Sequence, residues 1–97
     1  MEWISVKDRL PKENEAVNVV WINRNPPVYY QNIKGKPQVA TGVYYNGLWY
    51  WWSAVIQDYL AEYGQRGTDF FEKMDEAIEV THWMPLPNPP TDMRGEE

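Results

Sequence analysis

Short runs of strand-like residues, broken by turn formers, fill the first half of this 97-residue chain, and a helical period replaces them after residue 53. Trp3–Val6 reads as a short first strand, and the polar stretch Lys7–Glu15 with its Pro11 as a connection. Val17–Asn23 (VNVVWIN) carries large apolar groups at both parities, the pattern of a central strand covered on both faces. Arg24–Pro37 is the least regular part, with Pro26-Pro27, Tyr29-Tyr30, Gly35 and Pro37. A loop this long in a small domain is uncommon and often functional. A short strand around Val28–Tyr30 fits inside it.

Gln38–Tyr45 and Leu48–Trp52 flank Asn46-Gly47. Asn-Gly tolerates positive φ at both positions, as a two-residue type I′ turn requires. Such a turn sets Tyr45 opposite Leu48, Tyr44 opposite Trp49, Val43 opposite Tyr50, Gly42 opposite Trp51 and Thr41 opposite Trp52. One face of the hairpin then shows Thr41, Val43, Tyr45, Leu48, Tyr50 and Trp52, and the other Ala40, Gly42, Tyr44, Trp49 and Trp51. The indole of Trp51 is expected to lie over the bare backbone of Gly42. Both faces are aromatic, so helices, a second subunit or a ligand must cover the second one.

In Ala54–Tyr63, Val55, Ile56, Tyr59, Leu60 and Tyr63 form one apolar stripe, with Ser53 placed to cap the start and Gly64 to end it. Thr68 is placed to cap a second helix, in which Phe70, Phe71, Met74, Ala77 and Ile78 recur at helical spacing. Glu79–Met84 returns to a strand, which Pro85, Pro87, Pro89 and Pro90 forbid from continuing. The proline tail is expected to fold back as a clasp over the aromatic residues, and residues 91–97 to fray. The order predicts one α+β domain over residues 1–97, with its core in 3–90. It is a small antiparallel sheet with an Asn-Gly hairpin and one or two helices packed on one side.

The two ends of the chain carry the most specific pattern. Trp3-Ile4-Ser5-Val6 with Asp8-Arg9-Leu10-Pro11, Gly42-Val43-Tyr44-Tyr45, Trp49, and above all Thr81-His82-Trp83-Met84-Pro85-Leu86-Pro87 resemble the domain-of-unknown-function 551 family. The resemblance covers residues 3–23, 38–53 and 78–90. The 24–37 loop and the 54–77 stretch are longer than the usual pattern. The resemblance implies a bacteriophage, prophage or gut-bacterial setting and supplies no reaction, substrate or catalytic residue.

Composition narrows the function classes. The chain has no cysteine, which suits a reducing compartment, and no apolar run approaching the roughly 20 residues that span a bilayer. With charged residues throughout its first thirteen positions, it reads as a cytoplasmic protein of a bacterial host rather than a secreted or membrane one. The net charge of −5 is uneven. Residues 1–53 hold six Lys/Arg and four Asp/Glu; residues 54–97 hold three and ten. No basic stripe is present, so direct nucleic-acid binding is not expected. Six Trp and seven Tyr suit either a compact aromatic core or a ligand platform.

No catalytic motif is found, and no enzymatic activity, cofactor or metal site is expected. His82 is the sole histidine, and is read as structural, its ring bonded to a backbone group. With no cysteine, a Cys–His nucleophile is excluded and zinc would need one histidine plus carboxylates. Lys34, Gly35, Lys36 and Pro37 make a small basic spot beside Tyr29 and Tyr30, read as a solubilising loop rather than a base-stacking site. The expectation is a non-catalytic binding domain that holds a protein partner or small ligand through Tyr44, Trp49 and Trp51, with Tyr29 and Tyr30 of the long loop. Alternatives are an assembly protein that self-associates through its spare aromatic face, and an acidic decoy for a nucleic-acid-binding host protein. The decoy would act through Asp58, Glu62, Asp69, Glu72, Asp75, Glu76 and Glu79. An uncatalogued hydrolase using His82 ranks last.

Overall fold

The computed structural model describes residues 2–66 and 73–87. Its elements are β1 (Ile4–Ser5), β2 (Val17–Asn23), β3 (Gln38–Tyr45), β4 (Leu48–Trp51), α1 (Ala54–Tyr63) and β5 (Ile78–Pro85). The strands form one antiparallel sheet in the order β1-β5-β2-β3-β4. This is a small α+β fold. β2 is internal, as its two-sided apolar pattern requires. Among the described residues no helix is long and apolar enough to cross a membrane.

β3 and β4 pair with Tyr45 opposite Leu48 and Gly42 opposite Trp51. Asn46 and Gly47 lie between them with φ of 48° and 85°. Beyond β4, the Trp52 N–H still donates to the Thr41 carbonyl at 3.0 Å. Between β2 and β5 the register shifts, from Val20 opposite His82 to Trp21 opposite Val80. The extra residue, Thr81, is a bulge. It lets Val80 and Trp83 both face the cluster containing Val17 and Val19 despite their odd spacing.

The sheet has a core on each face. Val17, Val19, Met74, Val80 and Trp83 form one; Val43, Tyr50, Ile56 and Leu60 form the other. Among the described residues only the second is covered by an α-helix. α1 starts where the Ser53 side chain accepts the Ile56 N–H at 3.1 Å, and stops at Gly64, whose φ of 66° suits a residue without Cβ. It buries Ile56 and Leu60 one turn apart, while Val55 and Tyr63 are exposed. The buried stripe is therefore narrower than the five-residue one expected. Ser53→Ala removes the cap and is expected to cost about 1 kcal/mol, read as a lower urea midpoint with the native fold retained.

The other face is covered by non-helical chain. Of the expected second helix, Thr68, Phe70 and Phe71 lie outside the described residues. Met74 is irregular, Ala77 is in a turn and Ile78 begins β5. Helix fails there because the backbone is bonded elsewhere. Met74 N–H donates to the Trp49 carbonyl at 3.0 Å, and Lys73 bridges to Tyr50 on the outer edge of β4. A turn with Ile78 N–H on the Asp75 carbonyl then feeds the chain into β5.

The strand expected around Val28–Tyr30 is also replaced. Pro27, at φ −57° and ψ 160°, leads into a 3-10 segment over Val28–Ile33 that is kinked at Tyr30. Its first bond runs from the Tyr30 N–H to the Pro27 carbonyl. Two adjacent prolines lack the N–H groups a strand would need for pairing. The expected proline clasp begins with an exposed Leu86 and Pro87; from Asn88 onward it lies outside the described residues, as do residues 91–97.

Candidate functional site

The sheet face opposite α1 carries most of the rings. On β3 the small residues Ala40 and Gly42 lie between Trp21 of β2 and Trp51 of β4, and the two indoles meet edge-on with centroids 5.0 Å apart. The Met74 methyl of the crossing segment lies over Gly42, 3.3 Å from where a Cβ would stand. The Trp51 indole, expected to shield Gly42, meets Trp21 across β3. Both indoles pack against the core cluster. The Trp21 Nε1–H is buried with no partner among the described residues, so this pair is held by packing rather than by polar contacts.

At the turn end of the hairpin the arrangement opens. Tyr44 and Trp49 stack edge-on at 5.2 Å, which fixes the indole in place. Beside Trp49 runs a groove of about 230 Å³, with Gly47, Leu48 and Trp49 along one wall and residues 73–76 with Ile78 along the other. Its rim carries Lys73, Asp75 and Glu76. Asp75 is held in place because its Oδ2 accepts the Ala77 N–H at 3.2 Å.

Tyr29 and Tyr30 lie elsewhere. They are in the 24–37 loop, at the Gln38 end of β3, while Tyr44 is near the other end, roughly 20 Å away at strand rise. The five candidate residues thus fall into a sheet-face group and a loop group. Tyr29 and Tyr30 tilt against each other at 4.8 Å and are 75% and 53% exposed. The acidic residues are split as well. Asp58 and Glu62 are on α1, Asp75 and Glu76 on the segment covering the opposite face, and Glu79 is paired with Arg24 at 2.8 Å. Asp69 and Glu72 lie outside the described residues. No single acidic surface joins the described members.

His82 contacts the Thr81 hydroxyl through Nδ1 at 3.0 Å, so its partner is a side chain and not the backbone group expected. Ser5, Glu79 and His82 share a second groove, of about 190 Å³, without forming a relay. The Ser5 Oγ accepts the Lys7 N–H, and Glu79 is turned to Arg24. Among the described residues no group of three His, Asp or Glu is placed to hold a metal ion.

The motifs at the two chain ends form one joint. Ile4 pairs with Trp83 and Ser5 with His82. Trp83 Nε1–H donates to the Arg9 carbonyl at 2.9 Å, and the Arg9 guanidinium stands 5.8 Å over the same ring. A family model described as protein of unknown function (DUF551) matches residues 2–91. The chain belongs to that family. Trp83, within the matched stretch, is a structural residue here, 6% exposed and held by the Arg9 carbonyl. Among curated proteins and solved structures, none matches the chain. The sequence places Arg9 in the end motif, Met74 on a helix and Asp75 and Glu76 on an acidic surface, and gives none of them its contact here: the Trp83 ring for Arg9, the cover of Gly42 for Met74 and the groove rim for the two acids.

Proposed function

We propose that this domain is a non-catalytic binding module that holds a protein partner or small ligand against Trp49. The groove beside Trp49 carries the reading. An indole fixed by Tyr44 packs on the core with part of its surface and borders the groove with the rest. Pockets that mix one rigid aromatic wall with a few polar rim groups are the usual form of recognition sites. The implied setting, a phage- or prophage-related protein in the cytoplasm of a bacterial host, suits such a module.

Trp49 is the residue to test, because Trp51 is tied to Trp21 and its loss would disturb the fold. On adding a binding partner, amide shifts are expected to concentrate at Gly47, Leu48 and the Trp49 indole. Trp49→Leu should weaken binding at least about tenfold, the effect of truncating an aromatic anchor. Unchanged affinity in a folded Trp49→Leu protein rejects the reading.

One observation favours self-association as a second reading. On the α1 side of the sheet the helix covers only the Val43–Tyr50 end; beyond it, Val39 is 65% exposed beside its cross-strand neighbour Val20. A strictly monomeric protein by light scattering at micromolar concentration would reject this alternative.

A further inference from the structure

We infer that the 24–37 loop is a docking site for an acidic segment of a partner protein; this rests on reading the chain as a binding module and names a second surface and the chemistry of its partner. Among the described residues Val28 and Tyr29, at 83% and 75%, exceed every other large apolar residue in exposure, and Tyr30 beside them is 53% exposed. The 3-10 segment that carries them buries none of its residues. These side chains therefore contribute nothing to the core.

The loop is nonetheless built, not slack. Pro26 is buried at its base, and Gln31 Nε2–H reaches back to the Pro26 carbonyl at 2.9 Å. Gly35 N–H closes the loop onto the Asn23 carbonyl at 3.0 Å, and the Asn23 side chain accepts the Asn25 N–H at 2.9 Å. Gly35 has φ of 71°, which permits this return. The chain thus holds two adjacent phenol rings and a valine in solvent on an ordered platform. Pre-ordered tyrosines lose little entropy on binding and are typical centres of protein interfaces.

Charge selects the partner. No Asp or Glu occurs between Glu15 and Asp58, although the chain as a whole carries −5. Within that span stand Arg24, Lys34 and Lys36. Arg24 is occupied by Glu79, whereas Lys34 and Lys36 flank the 3-10 segment as exposed cations. An apolar centre with a basic rim complements apolar residues set among carboxylates, and such rim charges act mainly through association rate and specificity.

The test pans a random-peptide display library on the protein and measures the selected peptides by fluorescence anisotropy. The expected result is enrichment of Asp/Glu-rich peptides with an apolar residue. Their affinity should fall at least about tenfold in Tyr29→Ala/Tyr30→Ala and in Lys34→Glu/Lys36→Glu, and should weaken as salt is raised. Both variants change only exposed side chains, and an unchanged urea midpoint verifies that they fold. Selected peptides that are neutral or basic, or that bind the tyrosine variant as well as the parent, overturn the inference; if they instead need Trp49, the binding-module reading survives. Failure to select any peptide overturns the inference and weakens that reading with it. An oligothymidylate that binds the parent and not the tyrosine variant also overturns it, because the loop would then be a base-stacking surface.

Discussion

Trp83→Ala is expected to destabilise the protein by about 3–5 kcal/mol, the range for deleting a large buried ring. Small domains have total stabilities of roughly 5–15 kcal/mol, so the loss would remove a large share of the total. The argument is specific to this site. Trp83 is 6% exposed, lies on β5 between Ile4 of β1 and Val19 of β2, and packs with Val17, Val19, Val80 and Met74. Removing it opens a cavity in the middle of the sheet and leaves the Arg9 carbonyl without its donor. Trp83→Phe, which keeps a ring but not the Nε1–H, should lose markedly less. Urea denaturation of the three proteins, followed by far-UV circular dichroism, checks this. A Trp83→Ala midpoint close to that of the parent would show that this tryptophan is not structural.

Tyr50→Ala should have an effect of similar size, about 3–5 kcal/mol, through the opposite core. Tyr50 is fully buried between β4 and the Ile56–Leu60 face of α1. Its hydroxyl accepts the Gln65 Nε2–H at 3.1 Å, which ties the end of the helix to the hairpin. Tyr50→Phe loses that bond and keeps the ring, so it should cost only about 1 kcal/mol. The helix signal is the informative readout. If Tyr50→Ala unfolds α1 while the sheet stays intact, the two faces unfold as separate units; a single coincident transition shows that they are coupled.

Where local chemistry decided the backbone, the sequence was readable. Ser53 and Gly64 mark α1 to the residue, because a capping hydroxyl and a positive-φ glycine act within one turn. The strands beside Asn46-Gly47 were legible for the same reason. Where a distant partner decided the outcome, the reading fell short. Met74, Ala77 and Ile78 have helical spacing, yet the edge of β4 captured their segment. Trp51 was set opposite Gly42 by strand pairing, but its contact with Trp21, four positions further along β2 than Gly42's partner Val17, was not legible. At Val28–Tyr30, residue types favourable for a strand were overridden by the two prolines before them. Of the candidate site, the pairing of Tyr44 with Trp49 was visible from the hairpin register. The groove beside Trp49 was not, because the second wall comes from a segment whose path depends on the sheet.

The position of β5 has a bearing on how the protein is made. β5, the last strand among the described residues, is inserted between β1 and β2, the first two, so neither has its full set of neighbours until residue 85 has left the ribosome. A nascent chain stopped short of Ile78 holds only β2, β3, β4 and the helix, with one long side of β2 bare. Such non-local closure folds slowly, and meanwhile presents an unpaired edge to chaperones, proteases and other copies of itself. Synthesis of this small domain is therefore close to all-or-none, and prematurely terminated products should be cleared rather than accumulate.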